Sequence, residues 1–257
     1  MATVLITGAS YGLGAEFARL FAANHHHLIL VSRSLEKLTL LKEELTKKYL
    51  IDIDIITCDL SASGAAFDLV EKLKIFKPVN ILVNNAGVGD FGFFQDLDPI
   101  KQQQMIDLNI TNLTLLTRLL LPYMIKQHSG KILNVASTAA FQPGPLMAVY
   151  YASKAYVVSF SVALANELKG TGVSVTVLCP GATATHFVEN ANLNDSKLFK
   201  RLKLASAKDV ALTGLKAMNR KDVIVIDGLM NSVMAFMVRF FPITWQAAMA
   251  RKIQEKG

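Results

Sequence analysis

Short apolar runs rich in β-branched residues alternate along the chain with longer stretches whose apolar residues recur every three or four positions. The first pattern predicts strands buried on both faces, and the second predicts helices that cover them. Strands are expected at Thr3–Thr7, Leu28–Ser32, Ile53–Thr57, Ile81–Asn84, Lys131–Val135, Ser174–Leu178 and Val223–Ile226. Helices are expected at Gly12–Asn24, Leu35–Tyr49, Ala65–Phe76, Ile100–Gln127, Tyr151–Lys169 and Ala207–Asn219. Strict alternation of the two element types predicts an α/β fold. It would be a doubly wound parallel sheet of about seven strands, with right-handed crossovers and helices on both faces.

No linker, composition break or fixed-period repeat interrupts the alternation, so one domain is expected across residues 1–257. In such a sheet, ligands gather at the carboxyl ends of the strands. The hydrophobic content of 52% and mean hydropathy of +0.35 suit strands buried on both faces and argue against disorder. The formal charge of +7 is scattered over several helices. That distribution speaks against a nucleic-acid-binding stripe and leaves anionic small molecules or a mildly acidic surface as partners. Cys58 and Cys179 lie far apart without metal-ligand spacing, so a reduced, cytoplasmic chain is expected. The first strand starts at Thr3, leaving no room before it for a basic, cleavable leader.

Candidate chemistry begins where the first strand runs into Thr7-Gly8-Ala9-Ser10-Tyr11-Gly12-Leu13-Gly14. Glycines there permit positive φ and the close approach of a pyrophosphate, and the helix behind them offers unpaired N–H groups and a positive dipole end. The spacing is Gly-x-x-x-Gly-x-Gly rather than the Gly-x-Gly-x-x-Gly dinucleotide fingerprint, yet strand and helix stand where such a cofactor needs them. The second strand ends at Ser32-Arg33, where an acidic residue would bond the ribose hydroxyls of NAD. A hydroxyl and a fixed cation suit the 2′-phosphate of NADP(H) instead. At Asp59-Leu60, Asp59 either accepts from an adenine amino group or caps the helix opened by Ser61. Asn84-Asn85-Ala86-Gly87 fits either a close backbone approach to a ribose or an ordinary turn.

Tyr150 and Lys154 stand at i and i+4 on one helix face, thirteen residues beyond Ser137. A free phenol, with its pKa near 10, exchanges protons poorly at neutral pH. An ammonium within ~4–6 Å and a cationic nicotinamide both favour the phenolate. Tyr151 is the competing phenol, at i+3 from Lys154. Taken together, the Gly-rich turn, Asn-Asn-Ala-Gly, Ser137, Tyr150/Lys154 and Cys179-Pro180-Gly181 resemble, in order and spacing, the short-chain dehydrogenase/reductase family, a group with the Rossmann fold. The Ser-Arg-Ser-Leu-Glu-Lys-Leu segment is most similar to the family's NADP-preferring, ketone-reducing branch.

The resemblance implies a catalytic tetrad: Tyr150 as proton donor, Lys154 as its activator, Ser137 as the hydroxyl that orients substrate, and Asn109 as the residue that bends its helix and holds a water. It also implies that Pro180-Gly181-Ala182-Thr183-Ala184-Thr185 turns over the nicotinamide, with Thr183 and Thr185 holding the carboxamide, and that the protein assembles as a homodimer or homotetramer. The implied reaction is reversible reduction of a ketone or aldehyde by NADPH. A 3-oxoacyl thioester reductase and a non-catalytic NADPH sensor or scaffold are the alternatives.

The family places its variable substrate lid at about 186–206, read here as one or two short helices mixing Phe187, Leu193, Leu198, Phe199 and Leu202 with Lys197, Lys200, Arg201 and Lys203. This is either a solvated basic face over an apolar pocket or a contact for an anionic tail. Phe91, Phe93, Phe94, Phe141 and Met147 suggest an apolar or aromatic carbonyl substrate, while His186 either touches substrate or is structural. His25-His26-His27 is expected to be a turn into the second strand rather than a metal site, because consecutive side chains diverge. The apolar stretch Leu229–Phe241, within a segment at about 229–250, is too short to span a bilayer at the ~20 residues required. Burial under the lid or in a subunit interface is the first expectation, and peripheral membrane contact by Phe236, Phe240, Phe241 and Trp245 the second.

Overall fold

The computed structural model describes residues 1–185 and 204–255. Seven strands, β1 (Thr3–Thr7), β2 (His27–Ser32), β3 (Ile53–Thr57), β4 (Ile81–Asn84), β5 (Gly130–Val135), β6 (Val173–Cys179) and β7 (Ile224–Ile226), form one sheet. Every pairing is parallel, in the order β3-β2-β1-β4-β5-β6-β7. The chain first builds outward from β1 to β3 and then returns to β1's other side with β4. Two neighbouring strand ends therefore send their connections to opposite faces, which opens a crevice at the carboxyl ends of β1 and β4.

On one face, α1 (Gly12–Ala23), α2 (Leu35–Tyr49) and a helix at Ala207–Arg220 bury Phe17, Phe21, Leu38, Leu45, Val210 and Met218 against Val4, Ile6, Leu28 and Leu30. On the other, α3 (Ala65–Leu73) and the helices at Asn112–Lys126 and Ala148–Glu167 bury Leu69, Leu116, Met124 and Leu164 against Leu5, Ile29, Leu82 and Ile132. Alternate residues of β1 thus serve opposite layers, as the pleat requires. A buried amide network ties the second layer to the sheet: Asn84 Nδ2 donates to Thr117 Oγ1 and Asn134 Oδ1, both at 2.9 Å, and Asn134 Nδ2 donates to Ser161 Oγ at 2.8 Å. Buried polar groups are costly unless paired, so this network fixes the two helices in place.

Three expectations change. The single helix expected at Ile100–Gln127 is instead α4 (Pro99–Ile106), capped by Asp98, then a π-helical turn at Asp107–Thr111, then α5 (Asn112–Lys126). The turn is where Asn109 sends its side chain away to Val88. The helix after β5 is α6 (Ala148–Glu167), which opens three residues before Tyr151. After α7 (Ala207–Arg220) and β7, the apolar C-terminal stretch forms two helices, α8 (Leu229–Met237) and α9 (Ile243–Gln254), separated at Pro242. Periodicity at Trp245, Met249 and Ile253 could have predicted α9.

His27 opens β2 and sets Nε2 2.8 Å from Asp54 Oδ2, while His25 turns the chain at φ 55° and His26 Nδ1 accepts from Ala2 N. The expected lid falls largely on residues 186–203, outside the described residues, as do His186, Phe187 and the lysines expected there.

Candidate active site

At the crevice, the Gly-rich turn is locked to the end of β4. Thr7 Oγ1 accepts from the backbone N–H groups of Asn85 and Ala86, each at 3.1 Å, and Asn85 Nδ2 donates to the carbonyls of Thr7 (2.9 Å) and Gly8 (3.1 Å). Gly8 has φ +65°, and a Cβ there would stand 2.9 Å from Ala86 Cα. At Gly14 a Cβ would stand 2.1 Å from the Gly8 carbonyl oxygen, so α1 can lie this close to the turn only with glycine. Asn85 is thus the brace of the turn, while Gly14 packs behind it. The first turn of α1 has no side-chain cap and no acidic residue, which leaves its N–H groups for an anion.

Beside this turn a cavity of about 1000 Å³ runs along the strand ends, room for a dinucleotide and a substrate together. Gly8, Ser10, Tyr11, Gly12 and Leu13 line one end, with Ser32, Arg33, Asp59, Leu60, Asn85, Ala86 and Gly87 around it. The Ser32 hydroxyl accepts from Ser34 N at 3.3 Å, and Ser34 in turn caps α2. Asp59 accepts from the Ser61 backbone N–H and hydroxyl. Burial opposes its ionisation, but these two bonds and the charge of Arg33 hold its carboxyl below the ordinary value. These bonds close a local turn rather than cap a helix, because α3 begins only at Ala65, with Gly64 before it and no side-chain cap. The sequence reading missed Lys37, whose Nζ lies 5.2 Å over the Tyr11 ring and adds a second cation beside Arg33.

Deeper in, β5, β6 and α6 bring Ser137, Tyr150 and Lys154 together, and all three line the cavity. The Tyr150 hydroxyl hydrogen-bonds Ser137, and burial pushes the phenol up to about 12, with the Ser137 bond opposing. The Lys154 ammonium, expected to lower this value, lies 5.8 Å from the Tyr150 ring centroid. Lys154 Nζ donates to the Val135 carbonyl at 3.0 Å, and burial pulls it down to about 8. Behind it Cys179 remains a thiol, pushed up to about 12 by burial despite the nearby ammonium. Gly87 stands against this group, since a Cβ there would be 3.1 Å from Lys154 Nζ.

Asn109 does not face the cavity. It is buried behind Gly87, its Nδ2 donating to Val88 O (2.9 Å) and Ser153 Oγ (3.0 Å) and its Oδ1 accepting from Val88 N (3.1 Å). Those bonds explain the π turn, the expected bend of this helix, and make Asn109 a positioning residue. Tyr151 points elsewhere than Tyr150: its hydroxyl accepts from Gln254 Nε2 of α9, and burial raises its pKa. The two phenols have separate jobs.

Pro180, Gly181, Thr183 and Thr185 line the far wall, where Thr183 Oγ1 donates to Gly181 O and pairs in a bridge with Ala205. On the substrate side, Phe141 and Met147 line the cavity. Phe91 instead packs behind it with Met105, Met147 and Tyr150, and Phe93 lies outside under Arg251, 5.6 Å from its ring. The places expected for these two rings are taken by α8 and α9, which contribute Met234, Phe241, Met249, Ile253 and Gln254.

A family model described as short chain dehydrogenase matches residues 2–196. The chain belongs to that family. As a short-chain dehydrogenase it is an oxidoreductase acting on alcohol and carbonyl groups. It is 36% identical over 231 residues to ketoacyl reductase HetN of Nostoc sp., covering 87% of this chain and 77% of that protein. It is 32% identical over 197 residues to hydroxysteroid dehydrogenase-like protein 1 of Gallus gallus; the match covers 76% of this chain and 60% of that relative's length. Among solved structures, a short-chain dehydrogenase from Sphingobium yanoikuyae in complex with NADPH superposes with a TM-score of 0.83 at 27% identity, covering 94% of this chain and 97% of that one.

Proposed function

We propose that this short-chain dehydrogenase reduces an apolar ketone or aldehyde to its alcohol with NADPH, and catalyses the reverse reaction. The observation that carries the reading is the Tyr150 hydroxyl bonded to Ser137, with Lys154 below it, at the inner end of a dinucleotide-sized cavity. The bound cofactor supplies hydride to the carbonyl carbon. Ser137 and Tyr150 hold the carbonyl oxygen, and Tyr150 donates its proton to it. A phenol held near 12 keeps its proton at neutral pH, so release of that proton to the carbonyl oxygen depends on the positive charges beside it. The Lys154 ammonium stabilises the phenolate left behind. Asn109 holds the Val88 backbone and the π turn in register with this group.

NADP(H) is favoured over NAD(H) by Ser32, Arg33 and Lys37, with no carboxylate at the end of β2, and the similar Sphingobium protein was solved with NADPH. Free thiols at Cys58 and Cys179 support a cytoplasmic setting. α6 exposes Ala152, Ala155, Tyr156, Ser159 and Val162, an uncharged face of small and apolar groups that fits a second copy in a homodimer or homotetramer.

A 3-oxoacyl thioester is the second substrate class, favoured by Lys101 at the cavity wall and by the HetN relative. A panel of ketones, aldehydes and oxoacyl thioesters with NADPH tests both readings. Turnover lost in Tyr150→Phe with NADPH binding intact is the expected result. NADPH binding without turnover across the panel would overturn the enzyme reading in favour of a sensor or scaffold.

A further inference from the structure

Helices α8 and α9 carry an apolar face that the core does not cover. Leu229, Met230, Val233, Met234 and Met237 recur at helical spacing along α8, and Trp245, Met249 and Ile253 recur every four residues along α9. All are exposed, Leu229 by 82% and Trp245 by 64%. Phe240 and Ile243 extend the face across the turn between the helices. The lid expected over this stretch lies outside the described residues. An apolar surface of this extent marks an interaction site.

Three facts select the occupant. From Leu229 to Gln254 the chain has the cations Arg239, Arg251 and Lys252 and no carboxylate. Arg251 pairs with Glu255 at 3.0 Å, but Arg239 and Lys252 have no carboxylate partner among the described residues. A two-fold contact would pair this face with itself, and the segment from Leu229 to Gln254 brings no carboxylate to meet Arg239 and Lys252. Second, helices of nine and twelve residues are too short to cross a bilayer, which takes ~20, but long enough to lie in its interface. Third, the face is continuous with the cavity. Met234, Phe241, Met249 and Ile253 line the cavity and are also among the exposed residues, so its mouth opens onto the apolar surface.

We propose that α8 and α9 dock on an anionic lipid bilayer, with Trp245, Phe240 and Ile243 in the acyl boundary and Arg239 and Lys252 at the headgroups. The cavity mouth then faces the bilayer, so an apolar carbonyl compound dissolved there reaches Tyr150 without crossing water. This last step rests on the reductase reading, whereas the docking does not.

The test uses the full chain with phosphatidylcholine vesicles, with and without phosphatidylglycerol, followed by sedimentation and by fluorescence. Trp245 is the only tryptophan, so emission reports this face alone. The expected result is partitioning to the anionic vesicles, a blue shift, quenching by brominated acyl chains and loss of binding at high salt. Arg239→Ala with Lys252→Ala should weaken binding on the order of 30-fold, since each cation near an anionic surface contributes about fivefold. Phe236→Ser with Phe240→Ser removes two exposed rings that do not line the cavity. This variant should lose the vesicles while still reducing a water-soluble ketone, which also shows that it folds.

Wild-type protein left in the supernatant with unchanged emission overturns the docking. So does vesicle binding that survives the Phe236/Phe240 variant, or self-association through this face that the variant abolishes while vesicles never bind. Because partitioning is read without turnover, its failure leaves the reductase reading standing, and a failure of turnover alone leaves the docking standing.

Discussion

Around Gly8 and Asn85 the cavity wall is backbone and short polar side chains tied by hydrogen bonds, whereas around Met234 and Met249 it is long apolar side chains on two terminal helices. The difference follows from what each end must hold. A dinucleotide has one shape and fixed charges, so its end is built to close tolerances, as at Gly14, where a single Cβ would collide with the Gly8 carbonyl. Methionine and phenylalanine adapt to several apolar shapes at little cost. Tyr150 lies where the two ends meet, and the sharpest test of the comparison is there. Replacing Tyr150 by Phe should lower kcat about 10²–10⁴-fold, the usual contribution of a positioned acid. Replacing Tyr151, which faces α9, should leave kcat on a small ketone within a few-fold. Equal losses in steady-state assays would erase the division of labour between the two phenols.

The rigid end can be probed by charge. Arg33→Asp should shift the NADPH/NADH ratio of kcat/KM by on the order of 10², because a charge-assisted bond to the 2′-phosphate is exchanged for repulsion. Lys37, over the Tyr11 ring, should keep part of the preference, so Arg33→Asp with Lys37→Ala should shift it further. An unchanged ratio would remove this corner from cofactor selection.

Legibility in the sequence follows the same division. The strands and the Gly-rich turn could be read because periodicity and short-range spacing encode them, and Ser137, Tyr150 and Lys154 because their order resembles the family's. Lys37 could not, because its place over Tyr11 depends on α2 packing beside α1. Asn109 was found but its partner was not, since the π turn that aims it at Val88 leaves no separate sequence pattern. Phe91 and Phe93 look alike in sequence, yet one is buried among Met105 and Met147 and the other is half-exposed under Arg251. Only the placement of α9, whose Gln254 lies 103 residues from Tyr151 in sequence, decides that.

Lys154 links the site to stability. Its folded value, pulled from 10.5 to about 8 by burial, means that the folded state resists the charge. Below about pH 8 both folded and unfolded chains carry the proton and the penalty is present in full. Between about 8 and 10.5 the unfolded chain binds more protons, so this group makes stability rise with pH. Lys154→Met should therefore be inactive yet more stable than wild type at pH 7, by up to on the order of 3 kcal/mol before the lost Val135 bond is subtracted. The gain should vanish as pH passes 10.5. Denaturant titrations at pH 7 and above 10 give the comparison, and a pH-independent difference would contradict the assigned cause.

The smallest effect is expected at the adaptable end, and it asks whether α9 is a wall or merely a neighbour. Gln254 is almost fully buried, and its Nε2 donates to the Tyr151 hydroxyl, joining α9 to the helix that carries Tyr150. Gln254→Leu leaves that hydroxyl buried without its donor, a loss of about 1–3 kcal/mol. The strain falls on the α9 side, because Tyr151 is held on its other flank by Gly144, where a Cβ would stand 2.2 Å from the ring. KM for a bulky apolar ketone should then rise a few-fold as the wall loosens, with kcat for a small ketone nearly unchanged. Adding Tyr151→Phe removes the orphaned hydroxyl along with its partner, so the double variant should recover part of the stability lost by Gln254→Leu alone, the non-additivity expected of a direct pair. Strictly additive losses, or a fall in kcat for both ketones, would show that α9 only covers the site and that the pocket's selectivity is set elsewhere.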